Sequence, residues 1–295
     1  MIVSVARPRT VSSAGTEEKA IDEPSLQSKA SIPVYCRAGL RYVGDLLVQT
    51  DIRNGRMVDL PGWEVCGFEL MTLPTAVTDF ADIGWHGVYA EEIERLVRQL
   101  TSCDAVVFYP PLLRSPEAAA ASPDLAPIEF VHSDYTEAYR SMIGDTNHPY
   151  HRILEPSMAR AGVTAADVRS ARRVLTLQVW RNVGVRHMDR PLCFCDARTV
   201  PRSRLQPIRV AEYGGLVTEF DAFAVEAPRR DEYAWYTFPA MTLEEVVVFR
   251  AFDSECMARG EAFWTPHTAF RDPNAPPAAP GRQSVEARAI CLFLS

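Results

Sequence analysis

The chain has 295 residues, 47% of them hydrophobic and 23% charged, enough to bury a stable core in one large domain. Its formal net charge is −7 with a pI near 5.5, and its basic residues form no cluster able to neutralise a row of phosphates, which argues against a nucleic-acid partner. No run of about 18 apolar residues occurs and the first residues lack the apolar stretch of a signal peptide, so the expectation is a cytoplasmic protein without a membrane partner.

Residues 1–30 carry Arg7, Pro8, Arg9, Ser12, Ser13 and Gly15 with no apolar period. They are predicted to be a disordered arm ahead of a single domain over 31–295. Residues 33–70 alternate short apolar runs with Gly39, Gly44, Gly55, Pro61, Gly62 and Gly67, which predicts hairpins or extended edge segments that wrap the core rather than form it. Over 90–100, Ile93, Leu96, Val97 and Leu100 recur at helical spacing among acidic and basic residues, giving an amphipathic helix. Residues 104–109 then read as a strand closed by Pro110 and Pro111.

The Ala- and Pro-rich stretch 115–127 is predicted to be a surface loop. A short helix is expected over 164–172, where Thr164 and Asp167 stand at capping distance. Residues 174–180, 245–252 and 285–294 are rich in Val, Leu, Ile and Phe and read as strands. Helices early and strands late predict a mainly β fold, a sandwich or barrel with flanking helices. Seven scattered cysteines, an odd number, do not form a disulfide framework. Cys193 and Cys195 have no second pair at zinc-site spacing, so all seven are expected as buried thiols.

The chemistry centres on Val131-His132-Ser133-Asp134-Tyr135-Thr136. On an extended strand residues i and i+2 share a face, so His132 and Asp134 can address one ion together. His267, just ahead of the last strand, is the candidate third ligand. Two imidazoles and one carboxylate leave about three positions open on an octahedral metal, the facial arrangement of non-haem Fe(II) oxygenases. A 2-oxo acid could take two of these and O2 the third.

A 2-oxoglutarate co-substrate also needs a cation for its far carboxylate, and Arg282-Gln283-Ser284 offers a guanidinium and a hydroxyl on one strand face. Arg288 shares that face but stands roughly 20 Å further along an ideal strand, which places it out of reach of the same carboxylate. Tyr135, Trp180 and Arg181 are further candidates for substrate or co-substrate contacts. His86, His148, His151 and His187 are expected on the surface or hydrogen-bonded; Pro149 argues against a helix that would bring His148 and His151 to one face.

These motifs resemble the hydroxylase/desaturase family that includes fungal gibberellin desaturases and the bacterial cephamycin methoxylation protein. The resemblance runs over about residues 33–295. It rests on the His132 block, Val179-Trp180-Arg181-Asn182, Pro191-Leu192-Cys193-Phe194-Cys195-Asp196, Phe238-Pro239-Ala240-Met241-Thr242, Phe252-Asp253-Ser254, Pro266-His267-Thr268-Ala269-Phe270 and Gly281-Arg282-Gln283-Ser284. It implies a double-stranded β-helix (jelly-roll) core, Fe(II), and 2-oxoglutarate with O2 as co-substrates. The work implied is hydroxylation or desaturation of a small natural-product-type molecule. The chain departs from the family at Asn182, where Pro is usual, and at Arg271.

Two rivals remain at this point. One is a non-catalytic or partner-dependent subunit of the same fold, as a homodimer or with a partner enzyme. The other makes the same triad a hydrolytic zinc site, which would leave Arg282 and Ser284 without a purpose.

Overall fold

A computed structural model describes residues 33–294, apart from 83 and 231; the arm expected over 1–30 lies outside the described residues. The strands in chain order are β1 (Val34–Tyr42), β2 (Leu46–Asn54), β3 (Phe68–Thr72), β4 (Ala105–Phe108), β5 (Leu112–Arg114), β6 (His132–Ser133) and β7 (Arg173–Asn182). They continue as β8 (Leu192–Cys195), β9 (Leu205–Tyr213), β10 (Leu216–Val225), β11 (Trp235–Thr237), β12 (Glu245–Asp253), β13 (His267–Ala269) and β14 (Ser284–Phe293).

One sheet has eight strands in the order β1-β2-β11-β8-β13-β6-β10-β9; the other runs β3-β12-β7-β14-β4, with β5 also on β14. Strands distant in sequence are neighbours in both sheets, as a jelly-roll sandwich requires. The fold class expected from the sequence is borne out.

The three long strands read from the sequence, β7, β12 and β14, form the centre of the six-stranded sheet, and nearly every residue in them is buried. Such strands read as near-continuous apolar runs because both faces are covered. Outside lies α2 (Trp85–Thr101), packed on Leu175, Leu177, Val179, Val285, Ala287, Ala289 and Cys291. The small Ala287 and Ala289 let the helix approach the sheet closely. Toward the other sheet, Val174, Ile290 and Leu292 join the main core.

Several local expectations are corrected. The helix expected over 90–100 begins at Trp85, because Phe80, Trp85 and Tyr89 pack together and extend its buried face by a turn. The loop expected over 115–127 contains α3 (Pro116–Ala121), started by the Ser115 hydroxyl accepting from Ala118 N at 3.1 Å and by Pro116 in the first helical turn.

Pro149, read as a helix breaker, opens the helix α5 (Pro149–Arg160): His148 is its N-cap and accepts from Tyr150 N at 3.1 Å. His148 and His151 nevertheless stay apart in role, since the buried His151 donates from Nδ1 to the Ile143 carbonyl at 2.7 Å. The 33–70 region does form the hairpin β1–β2, but it also supplies the core, with Leu40, Tyr42 and Ile52 in the main cluster.

The helix α6 (Ala165–Ser170) carries the expected cap: Thr164 N donates to Asp167 Oδ2 at 2.7 Å and Asp167 N to Thr164 Oγ1 at 3.2 Å. All seven cysteines are buried. No helix among the described residues is long and apolar enough to cross a membrane.

Candidate metal centre

β6 is two residues long and is held between β10 and β13, with His132 directly opposite His267. Antiparallel register therefore does what sequence spacing cannot: it sets residues 135 positions apart side by side. Their ring centroids are 4.4 Å apart. Asp134 follows β6 on the same side, its Oδ1 3.7 Å from His132 Nε2. One potential ligand atom from each of the three residues lies within 4.8 Å of the others, and theirs is the one such cluster among the described residues.

Each imidazole is oriented by its own backbone. His132 Nδ1 donates to the Phe130 carbonyl at 2.7 Å and His267 Nδ1 to the Thr265 carbonyl at 3.0 Å, leaving both Nε2 atoms available as ligand atoms. The Thr265 anchor depends on Gly67, whose backbone lies so close that a Cβ there would meet Thr265 Oγ1 at 2.5 Å. Gly67 also sits at φ 99°, which favours glycine.

Burial, and then the neighbouring His267, push the His132 imidazolium pKa down to about 4, so the ring is neutral. Burial works against ionising Asp134, but Arg288 first, then His267 and His132, hold its carboxyl below the usual range. Two imidazoles and a carboxylate suit a first-row divalent ion.

The triad opens into a narrow recess, with about 20 Å³ of free space, that Arg282 also lines. Arg282 is 3% exposed and Ser284 fully buried. Arg282 Nη1 finds the Arg190 carbonyl at 3.2 Å, whereas its Nε and the Ser284 hydroxyl have no partner among the described residues. Burial pushes the Arg282 pKa down to about 10. Buried donors without acceptors are costly, and the bare Arg282 Nε suits an anionic ligand. The structure thus brings four of the residues singled out from sequence to one recess, His132, Asp134, His267 and Arg282, while Ser284 is buried at the start of β14 and is not among the lining residues.

The other candidates fall differently. Trp180 supports Arg282 from beneath, its ring centroid 5.8 Å from the guanidinium carbon, and is itself 1% exposed. Arg181 points to the opposite face of β7, where it donates to Tyr89 Oη at 3.2 Å and to the Leu73 and Leu243 carbonyls. It braces α2 and does not reach the recess. Tyr135 also turns away: it stacks on Tyr139 with centroids 3.9 Å apart and its hydroxyl meets that of Tyr150 at 2.8 Å.

Arg288, expected to be out of reach of the carboxylate that Arg282 would hold, also lines the recess, with its Nε 3.5 Å from Asp134 Oδ2. Arg114, Gln178 and Glu286 also line it and were not singled out. For Glu286 the signal was present, since it alternates with Ser284 and Arg288 on one strand face. Arg114 and Gln178 carry no signal in the sequence that separates them from any other Arg or Gln.

Residues 45–292 match the family described as an oxidoreductase/YMDC permease-like domain, and the chain belongs to that family. It is 26% identical over 248 residues to the hydroxylase/desaturase efuI of Hormonema carpetanum, covering 77% of both chains. It is 26% identical over 204 residues to the Fe(II)/2-oxoglutarate-dependent dioxygenase nvfI of Aspergillus novofumigatus, covering 69% of this chain and 66% of that one. A solved structure of the iron and alpha-ketoglutarate-dependent endoperoxidase NvfI superposes with a TM-score of 0.68 at 21% identity, over 89% of this chain and 99% of that one; this likeness shows the fold. The resemblance to the hydroxylase/desaturase family is borne out by these relatives.

Proposed function

We propose that the chain is an Fe(II)/2-oxoglutarate-dependent oxygenase that hydroxylates or desaturates a small, natural-product-type molecule. His132, Asp134 and His267 would hold the iron, and Arg282 with Ser284 the far carboxylate of 2-oxoglutarate. When bound, ferrous iron with the 2-oxo acid supplies the activation of O2 needed to attack an unreactive C–H bond.

The protein's own part is to fix three ligands, exclude water and aim the co-substrate. Both rings are oriented by backbone carbonyls. The carboxylate of Asp134 is kept ionised chiefly by the Arg288 guanidinium beside it.

The observation that carries the reading is a charge count in the recess. Arg114 pairs with Glu286 at 2.5 Å, and Arg288 lies within ion-pair range of both Glu286 and Asp134. Arg282 alone among these three arginines makes no side-chain ion pair within 4 Å among the described residues, and its Nε is unpartnered. A buried cation left over beside a metal triad calls for a ligand that brings its own carboxylate. The names of efuI and nvfI support the same chemistry.

The test is anaerobic addition of Fe(II) and then 2-oxoglutarate, watching for the weak visible charge-transfer band of the chelate. The band should form with the native protein, vanish with His267→Ala and weaken strongly with Arg282→Ala. Iron binding without a band would remove the co-substrate from the reading.

A further inference from the structure

A carboxylate can hold a metal through one oxygen or through two, and the choice decides how many coordination positions stay open. With two imidazoles and a one-oxygen Asp134, an octahedral ion keeps three positions, enough for a chelating 2-oxo acid and O2. With a two-oxygen Asp134 it keeps two, which the 2-oxo acid alone would fill. Whatever engages the second oxygen therefore matters.

In this structure Asp134 Oδ1 faces His132 Nε2, while Oδ2 is buried with no hydrogen-bond partner among the described residues. The cation beside Oδ2 is Arg288, through Nε at 3.5 Å. Arg288 is itself held: its Nη2 lies 3.2 Å from Glu286 Oε2, and Glu286 Oε1 accepts from Arg114 Nε at 2.5 Å.

Arg114 in turn donates to the carbonyls of Asp124 at 2.8 Å and Ala126 at 2.9 Å, and to the hydroxyl of Tyr213. The Asp124 side chain accepts from Gly214 N at 2.9 Å, in the turn between β9 and β10. Charges alternate along this ladder, so each member is compensated, and its far end is fixed to backbone on two separate segments.

We propose that Arg288 is a positioning residue that guards Oδ2 and so restricts Asp134 to one-oxygen ligation, with Glu286 and Arg114 holding Arg288 in place. The inference rests on the metal assignment above, but not on the identity of the co-substrate. It gives the second half of the β14 face a task distinct from that of Arg282.

The experiment uses Mn(II) in place of iron. Line broadening of the Mn(II) resonance by ¹⁷O-labelled water counts the waters on the ion. The native protein should hold three, and Arg288→Gln two, with Mn(II) bound as tightly or more tightly because a second carboxylate oxygen has joined. Arg288→Lys keeps a cation on the same strand face and should return toward three; Glu286→Gln, which releases Arg288 from its carboxylate, should also fall to two and serves if Arg288→Gln does not fold.

In the Fe(II) protein, Arg288→Gln should weaken 2-oxoglutarate binding roughly 10- to 100-fold and displace the charge-transfer band. Three waters in folded Arg288→Gln, or in Glu286→Gln where that variant stands in, would overturn the proposal, as would loss of Mn(II) binding in Arg288→Gln, which would make Arg288 a structural prop. A native protein with three bound waters but no 2-oxoglutarate band would sink the co-substrate reading while leaving the water count to judge Arg288.

Discussion

Two arginines separate the two faces of the central sheet. Arg181 on β7 and Arg282 just ahead of β14 are both almost wholly buried. Arg181 lies on the α2 side and spends its guanidinium on two carbonyls and a tyrosine hydroxyl. Arg282 lies on the side of the recess, rests on Trp180, and has one carbonyl for its side chain. Burial is therefore no guide to role here, since it marks the brace and the proposed binding group alike. What separates them is how much of each guanidinium is engaged: Arg181 leaves Nη2 without a partner among the described residues but donates to three acceptors, whereas Arg282 holds a single carbonyl through Nη1 and leaves Nε bare.

The contrast can be broken most directly by giving both positions the same substitution. Arg282→Met should weaken 2-oxoglutarate binding on the order of 100-fold by anaerobic titration, with melting temperature unchanged or raised, because an uncompensated buried charge is gone. Arg181→Met should do the reverse. It should cost about 3 kcal/mol in urea unfolding as its acceptors lose their donor, with the affinity of the folded protein for 2-oxoglutarate unchanged. Equal effects of the two on stability would erase the distinction.

Acid tests the inner face by itself. Burial opposes ionisation of Glu286, but Arg114 and then Arg288 hold its pKa down at about 2. A depressed carboxyl pKa stabilises the fold above the ordinary value near 4.5, and that stabilisation is lost as the pH falls toward 2. The native protein should therefore lose on the order of 3 kcal/mol more across this window than Glu286→Gln, measured by unfolding at each pH.

Smaller changes sharpen the same division. Ala287→Leu, on the outer face against α2, should cost about 1–3 kcal/mol of stability through overpacking and leave 2-oxoglutarate affinity alone. Ser284→Ala, three positions earlier on the inner face, should weaken 2-oxoglutarate about fivefold, near 1 kcal/mol, without lowering the melting temperature.

Parity along strands drew attention to two i, i+2 pairs, His132 with Asp134 and Arg282 with Ser284. The structure ends β6 at Ser133 and starts β14 at Ser284, so one member of each pair lies just outside a strand, and the loop geometry there is not written in the period. β7, β12 and β14 were legible because strands buried on both faces leave little room for polar residues.

Arg181 misled because its neighbour Trp180 faces inward, and one step along a strand reverses the face. Arg288 was weighed only against the carboxylate of Arg282, and a distance along one strand gives no sign that it stands beside Asp134. α3 and α5 were hidden by prolines that open helices as readily as they end them, the difference resting on the Ser115 and His148 caps before them. Arg114 reaches the recess through pairing of β5 with β14, a long-range register that no local pattern encodes.

The tethers of His132 and His267 to backbone carbonyls have a consequence for handling the protein. Both donor nitrogens are set before any ion arrives, and a cradle that need not rearrange gives little reward to one visitor over another. The intrinsic affinity order of divalent metals then favours copper, nickel and zinc over ferrous iron. The occupant of a purified sample reflects what the growth medium and the buffers offered, so a colourless, inactive preparation reports on supply before it reports on the chain's capacity.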